Sequence, residues 1–285
     1  FFVRGHGEAS VEDTSPAGWS EAAQLLLEQN FDVRILSTEV IERVPADAAL
    51  LVLTGPETAL SGRELDLITA YLLRGGRVLS MSEPFTHGSF DSLTAEFGVG
   101  TDPGFVMDVS REQQNLTRGG DGRIAVALGG NPDHPITRDF TFSAVFPLAR
   151  SVHATQPVPP GVRTTRLLDT QPEAWSERGD AQAQVDGIEF DPDVDRRGPL
   201  PLAYAAEIDL RRFMFGAEGM SATLLSTFEM MGDAIDLRDS TEIDTLRVGD
   251  LVLEGALAES ARMVVIGDTD FGNNANLGVQ GNAQF

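Results

Sequence analysis

The stretch Gly5-His6-Gly7-Glu8 sets an imidazole between two glycines and beside a carboxylate. Glycine on both sides permits a tight turn and close backbone approach. An imidazole next to a carboxylate can act as a general base or as a ligand contact. A second group stands near the other end of the chain: Asp268 and Asp270 in GDTDF, followed by Asn273. Carboxylates two residues apart can bind a cation or orient His6, although aspartates in turns also satisfy backbone donors. Between the two groups, Gly55-Pro56 and Glu83-Pro84 end apolar runs. His6 is therefore either a general base paired with Asp268 or Asp270, or the marker of a crevice that binds without catalysis.

Several chemistries are excluded outright. All 21 basic residues are arginine, so no lysine exists for a Schiff base, a phosphate loop or a Ser–Lys dyad. Cysteine is absent, which removes disulfides, thiolate nucleophiles and cysteine metal sites. There is no G-x-S-x-G elbow. GHGEAS carries alanine and serine where a dinucleotide loop needs its helix-packing glycine. DPDVDRRG alternates Asp191, Asp193 and Asp195 like a calcium loop, but Arg196 and Leu202 stand where that loop needs glycine and glutamate. No metal and no cofactor are expected. A net charge of −23 repels phosphate backbones, so nucleic acid is not an expected partner.

The elements that must position these residues follow from pattern. Phe1–Arg4 reads as a strand running into the GHGE turn, and Trp19–Gln29 as an amphipathic helix. FDVRIL (31–36) alternates like a strand. ADAALLVLTGP (46–56) is a continuous apolar strand of the kind buried on both faces of a parallel sheet. Ser61 and Glu64 form a capping box for a helix stopping at Gly75-Gly76, and RVLSMSE (77–83) is a fourth strand. Residues 98–260 form a β-rich middle, with FVMDV, RIAVAL, RTTRLLDT and PLPLAYAAEID as strands and SATLLSTF (221–228) as a strand or short helix. Residues 177–198 are expected to be an acidic loop. ARMVVIGDTDFGNN (261–274) returns to an apolar strand, with Asn273-Asn274 as a helix start. This predicts one α/β domain over 1–285, a doubly wound, mainly parallel sheet built from 1–97 and 261–285. GHGE, TGP, SEP and GDTDF then all lie at carboxyl ends of strands, the usual ligand location. If the last strand lies beside the first, Asp268 and Asp270 approach His6.

RGHGE, VPADAALLVLTGP, SGRELDLITAYLLRGGRVL, NPDHPIT, FPLAR, LLDTQPEAW, RGPLPLAYAAE and ARMVVIGDTDFGNN, closing on GNAQF, occur in an order that resembles the soluble domain of GldG-type gliding-motility auxiliary proteins of ABC transport systems. The resemblance covers nearly the whole chain. It implies a flavodoxin-like or glutamine-amidotransferase-like fold, held on the extracytoplasmic, periplasmic side by inner-membrane helices that this abruptly starting and ending sequence lacks. It also implies permease and ATPase subunits as partners. A related domain in a ciliary intraflagellar-transport scaffold supports binding over catalysis. Glutaminase activity would need a cysteine that is missing. The family lends no catalytic residues; its matching positions are Gly5, His6, Gly7, Glu8, Gly55, Pro56, Asp268, Asp270 and Asn273, which with Glu83 are expected to line a crevice. A non-enzymatic accessory domain that binds a small or polymeric ligand, or docks a partner, is the expectation. The alternatives are a hydrolase using His6 with Asp268 or Asp270, and a self-assembling scaffold such as a homodimer.

Overall fold

A computed structural model describes residues 1–86, 90–120, 122–178, 188–216, 245–248, 251–254 and 258–285. The first third contains β1 (Phe2–Arg4), α1 (Ser20–Glu28), β2 (Ile35–Ser37), β3 (Leu51–Thr54), α2 (Gly62–Leu73), β4 (Arg77–Met81) and α3 (Phe90–Glu96). The middle holds β5 (Val99–Thr101), β6 (Phe105–Met107), α4 (Arg111–Thr117), β7 (Ile124–Leu128), β8 (Ser143–Pro147), β9 (Val152–Ala154), β10 (Val162–Asp169), β11 (Trp175–Glu177) and β12 (Arg196–Arg197). The rest comprises β13 (Pro201–Asp209), α5 (Leu210–Phe215), β14 (Thr245–Val248), β15 (Leu251–Glu254) and β16 (Ser260–Ile266). Single 3-10 turns follow at Asp270–Gly272 and Asn282–Gln284.

The chain forms a mixed α/β fold around a seven-stranded sheet in the order β10-β13-β16-β4-β3-β1-β2. The five strands from β2 to β16 run parallel, and β13 and β10 are antiparallel additions. β3 is buried along its whole length, as its unbroken apolar run requires of a parallel strand covered on both faces. α2 begins at the Ser61–Glu64 capping box and ends at Gly75, whose φ of +86° suits glycine. It buries Leu67, Ile68, Tyr71 and Leu72, which spacing places on one helical face.

Helices are few and unevenly distributed. α2, α3 and α5 supply Ile68, Leu93 and Phe213 to the core on one face of the sheet, beside Leu51, Val78 and Met263. On the other face, α1 contributes Ala22 and Leu26, while β7, β8 and the turn at Phe271 cover the carboxyl half. Outside the main sheet, β7 pairs with β8, β5 with β9, and β11 with both β6 and β12. Among the described residues, no helix is long and apolar enough to cross a membrane.

Three local expectations change, and a fourth is not reached by the described residues. The strand expected over 31–36 forms only at Ile35–Ser37. The acidic loop expected from 177 to 198 contains the end of β11 and all of β12, because Trp175 and Ser176 pair with Arg197 and Arg196. No helix starts at Asn273-Asn274; Asn273 closes a 3-10 turn in which Asp270 accepts its N–H. The strand or helix expected at 221–228 lies outside the described residues.

β16 requires the largest correction. It lies between β4 and β13, with β3 and β4 separating it from β1, so it does not bring Asp268 and Asp270 to His6. Its register against both neighbours explains the placement: Met263 and Val265 align with Val78 and Ser80 on one side and with Ala206 and Tyr204 on the other. A strand apolar on both faces gains most from a central position.

Candidate functional site

The carboxyl ends of β1, β3, β4 and β16 gather the sequence-predicted residues into two separate groups. The first is centred on His6, just beyond β1. His6 is buried, with Nε2 3.2 Å from Glu64 Oε2 and Nδ1 3.4 Å from Glu8 Oε1. Its own N–H donates to Glu8 Oε2 at 2.7 Å, closing the turn that Gly5 and Gly7 open. Glu64 already caps α2, accepting from Ser61 N at 2.9 Å and Ser61 Oγ at 2.8 Å, and it also accepts from Thr38 Oγ1 at 2.5 Å. Burial works to raise the Glu64 pKa. The hydrogen bonds from Thr38 and Ser61, with nearby His6, outweigh it and hold the carboxyl below its ordinary range. One carboxylate thus ties the β1 turn, the residue after β2 and the start of α2.

This is also where the strand order turns back, with β1 flanked by β2 on one side and β3 on the other. An open parallel sheet usually leaves a ligand crevice there. Here the loops after β1 and β3 close on each other. Glu57 N and Thr58 N donate to His6 O at 2.8 and 3.0 Å, and Ala9 N donates to Thr54 O at 3.0 Å. Gly7 lies so close to the Glu57 side chain that a Cβ would meet it at 3.0 Å.

The second group lies beyond β4 and β16. Asp268 is completely buried, and its Oδ1 accepts from Asp270 N at 2.6 Å and Phe271 N at 3.2 Å. Glu83 accepts from Thr269 N at 2.5 Å, joining the two strand ends. Gly55 packs directly under Thr269: a Cβ there would stand 2.5 Å from Thr269 Oγ1, and its φ is +65°. Asp270 accepts from Asn273 Nδ2 at 3.0 Å, and Asn273 Oδ1 accepts from Asn276 N at 3.0 Å. Burial pushes the Glu83 carboxyl up to about 7, assisted by nearby Asp270 and opposed by the bond from Thr269 N. Asp268 is pushed well above its ordinary value, first by burial and then by Glu83 and Asp270. Asp268 Oδ2 and Thr269 Oγ1 have no hydrogen-bond partner among the described residues. Crowded carboxyls in a dry site stay protonated to higher pH than solvated ones. Among the described residues, no cluster of histidines and carboxylates has the geometry to hold a metal ion.

Pro56 lines a pocket with Ser80, Met81, Ser82, Thr86, Phe90 and Asp91. Its volume is about 10 Å³, room for about one water. Arg150, which pattern alone did not single out, seals this end. Its buried guanidinium donates to Ser82 Oγ at 3.0 Å, Glu83 O at 3.2 Å, Asp91 Oδ2 at 2.9 Å and Asp102 O at 2.9 Å. A further buried carboxylate, Asp102, accepts from Ser176 Oγ at 2.9 Å and Gly104 N at 3.1 Å, and pairs with Arg178. Burial opposes its ionisation, but these bonds, that of Arg178 foremost, keep its pKa low. In DPDVDRRG, Asp195 accepts from Asp191 N and Arg178 N, so the would-be calcium loop spends its carboxylates on its own backbone.

The family is decided by the sequence as a whole. A family model described as an ABC-type uncharacterized transport system matches residues 1–285. The chain belongs to this family. No curated protein sequence matches it. Among solved structures, the mmIFT52 N-terminal domain is similar in fold, with a TM-score of 0.57 and 12% identity, over 99% of this chain and 92% of that one. A ThuA-like protein from Bacteroides uniformis aligns at a TM-score of 0.37 and 17% identity, over 71% of this chain and 74% of that one. Membership makes the protein an auxiliary component of an ABC-type transport system.

Sequence reasoning singled out His6, Glu8, Gly55, Glu83 and Asp268 and set Glu8 beside His6, but it placed Asp268 and Asp270 near His6, where they do not lie. The carboxylate at His6 Nε2 is Glu64, which pattern reading assigned only to helix capping. The signal was available: Glu64 stands three and four residues before Leu67 and Ile68, on the apolar face of the helix, and is buried with them. Arg150 carried no such signal, since an arginine after a strand reads as solvated.

Proposed function

We propose that this chain is a non-catalytic accessory domain that works by docking, on the extracytoplasmic face, within the assembly formed by the permease and ATPase of its ABC-type transport system. The observation that carries this reading is the state of the crevice: the place where an open parallel sheet binds ligands is filled by the protein's own loops. Both ring nitrogens of His6 face protein carboxylates, so neither is turned toward a substrate. Asp268 spends one oxygen on two backbone N–H groups and stands apart from His6 in the strand order. The same geometry disfavours hydrolysis by His6 with Asp268 or Asp270. The strand order fits a doubly wound, flavodoxin-like plan in which, among the described residues, α1 is the helix packed on one face and α2, α3 and α5 are packed on the other, and a GldG-type role in gliding motility is the finer version of this reading.

A thermal-shift screen of amino acids, sugars, nucleotides and divalent cations tests it. Docking without a crevice ligand predicts that none stabilises the wild type. A compound that raises the wild-type melting temperature, but not that of His6→Ala or Asp268→Asn, would make the crevice a working receptor site and overturn the reading.

A further inference from the structure

Among the described residues, the two faces of the central sheet are covered unequally, and the less covered half-face has a definite composition. Register fixes what lies on the open face. Arg262, Val264 and Ile266 on β16 align with Arg77, Leu79 and Met81 on β4. They also align with Glu207, Ala205 and Ala203 on β13, and Glu207 and Ala205 align in turn with Arg163 and Thr165 on β10. Because side chains alternate along a strand, these residues share one face. The carboxyl row, with Met81, Ile266 and Ala203, is buried beneath Phe271 and the β7–β8 hairpin. The middle row is only partly covered: Ala205 is buried, but Leu79, Val264 and Thr165 are half-buried. In the amino row, Arg77, Arg262 and Arg163 are exposed, with Glu207 half-buried among them. Asn131, whose N and Nδ2 donate to Leu167 O and Arg166 O, bounds the face at β10, and α1 bounds it at β1.

We infer that this open half-face, Leu79 and Val264 with Arg77, Arg262 and Arg163, docks an acidic amphipathic helix of a partner protein, which supplies the missing layer of the fold. Three observations lead there. β4 and β16 are interior parallel strands, and such strands are normally covered by helices on both faces; among the described residues the helices over them, α2 and α5, lie on the opposite face. The strands' backbone groups are already paired within the sheet, so an occupant must bind through side chains, as a helix does, and cannot add as a strand. Finally, the charge is inverted locally: Arg163 is ion-paired with Glu207, and Arg77 and Arg262 beside them leave the small area positive on a chain with net charge −23. That selects an occupant with carboxylates flanking an apolar stripe.

This inference rests on the docking reading above and names its surface. The test uses the full-length protein in its native membrane, carrying photoreactive benzoylphenylalanine at Leu79 or, in a second variant at an exposed position, at Arg262. A third variant at Val40, which is 79% exposed on a different part of the surface, serves as control. Crosslinked peptides are mapped by mass spectrometry. The expected adduct from 79 and 262, and not from 40, is one partner segment with apolar residues at helical spacing and Asp or Glu beside them. Introducing Arg77→Glu, or Arg163→Glu with Arg77→Glu, should lower the yield from position 79 by about tenfold, equivalent to ~1.4 kcal/mol. Adducts to lipid, to a second copy of this chain or to a basic segment would overturn the inference, as would a yield no higher than at Val40. If transporter subunits still co-purify in those cases, only this surface is wrong; if none co-purify, the docking reading falls with it.

Discussion

Replacing Glu64 by alanine removes the acceptor of Thr38 Oγ1, Ser61 N and Ser61 Oγ together with the Nε2 neighbour of His6. A hydrogen bond to a charged group contributes about 1.5–3 kcal/mol, and a lost cap costs about 1 kcal/mol, but groups sharing one carboxylate are not additive. Removing the shared carboxylate from this buried hydrogen-bonded network costs about 3–5 kcal/mol in total, which lowers the melting temperature of a chain this size by on the order of 6–12 °C. Urea unfolding followed by the fluorescence of Trp19, which is buried against Phe2 and Phe271, reads the loss. The cost has a defined pH dependence. The folded-state pKa of Glu64 lies below 4.5, so its stabilisation is present above that value and disappears as pH falls through the folded pKa. Wild type and Glu64→Ala should therefore converge toward acid pH. A double-mutant cycle with His6→Ala should show coupling of at least about 1 kcal/mol. A cost for Glu64→Ala under about 1 kcal/mol at pH 7, or zero coupling, would refute the hub argument.

Glu83 has the opposite sign. Its pKa rises from 4.5 to about 7, so ionising it opposes folding: there is no penalty below 4.5, and the full penalty is present above 7. At ~1.4 kcal/mol per pH unit, Glu83→Gln should be more stable than wild type by about 3 kcal/mol at pH 8 and equal to it at pH 4; a difference independent of pH would contradict this. Gly55→Ala places a Cβ 2.5 Å from Thr269 Oγ1 at φ +65°, and denaturant titration should show a loss of about 1–3 kcal/mol, whereas unchanged stability would mean the strand ends are looser than described. Arg150→Leu removes the donor to Glu83 O and Asp102 O and the countercharge of Asp91, which keeps its bonds from Ser82 Oγ and Thr101 Oγ1, and should cost about 2–4 kcal/mol in the same titration; a loss below about 1 kcal/mol would show that Arg150 does not hold these loops together.

The parallel core was legible because its signals are local. The apolar run of β3, the capping box of α2 and the Gly75-Gly76 stop each follow from a few adjacent residues. Strand pairing is not local. Nothing in ARMVVIGDTDF says that Met263 aligns with Val78 rather than beside β1, and that one unknown carried the expected approach of Asp268 to His6. The acidic stretch near 191–198 misled for a related reason: its polarity masked a two-residue strand whose Arg197 lies over the ring of Phe190. Burial of charge was the hardest property to read. Glu64, Asp102 and Arg150 look like surface residues by type, and only long-range partners, Thr38, Arg178 and Asp91, account for them inside.

The central claim, that this family member works by docking within its transport assembly, is tested most directly by isolating the tagged full-length protein from its native membrane and quantifying what accompanies it. The account predicts that the ATPase and permease of one ABC-type system are enriched together over a tag-only control, and that His6→Ala that remains folded retains them. Isolation of the protein without either subunit would contradict it.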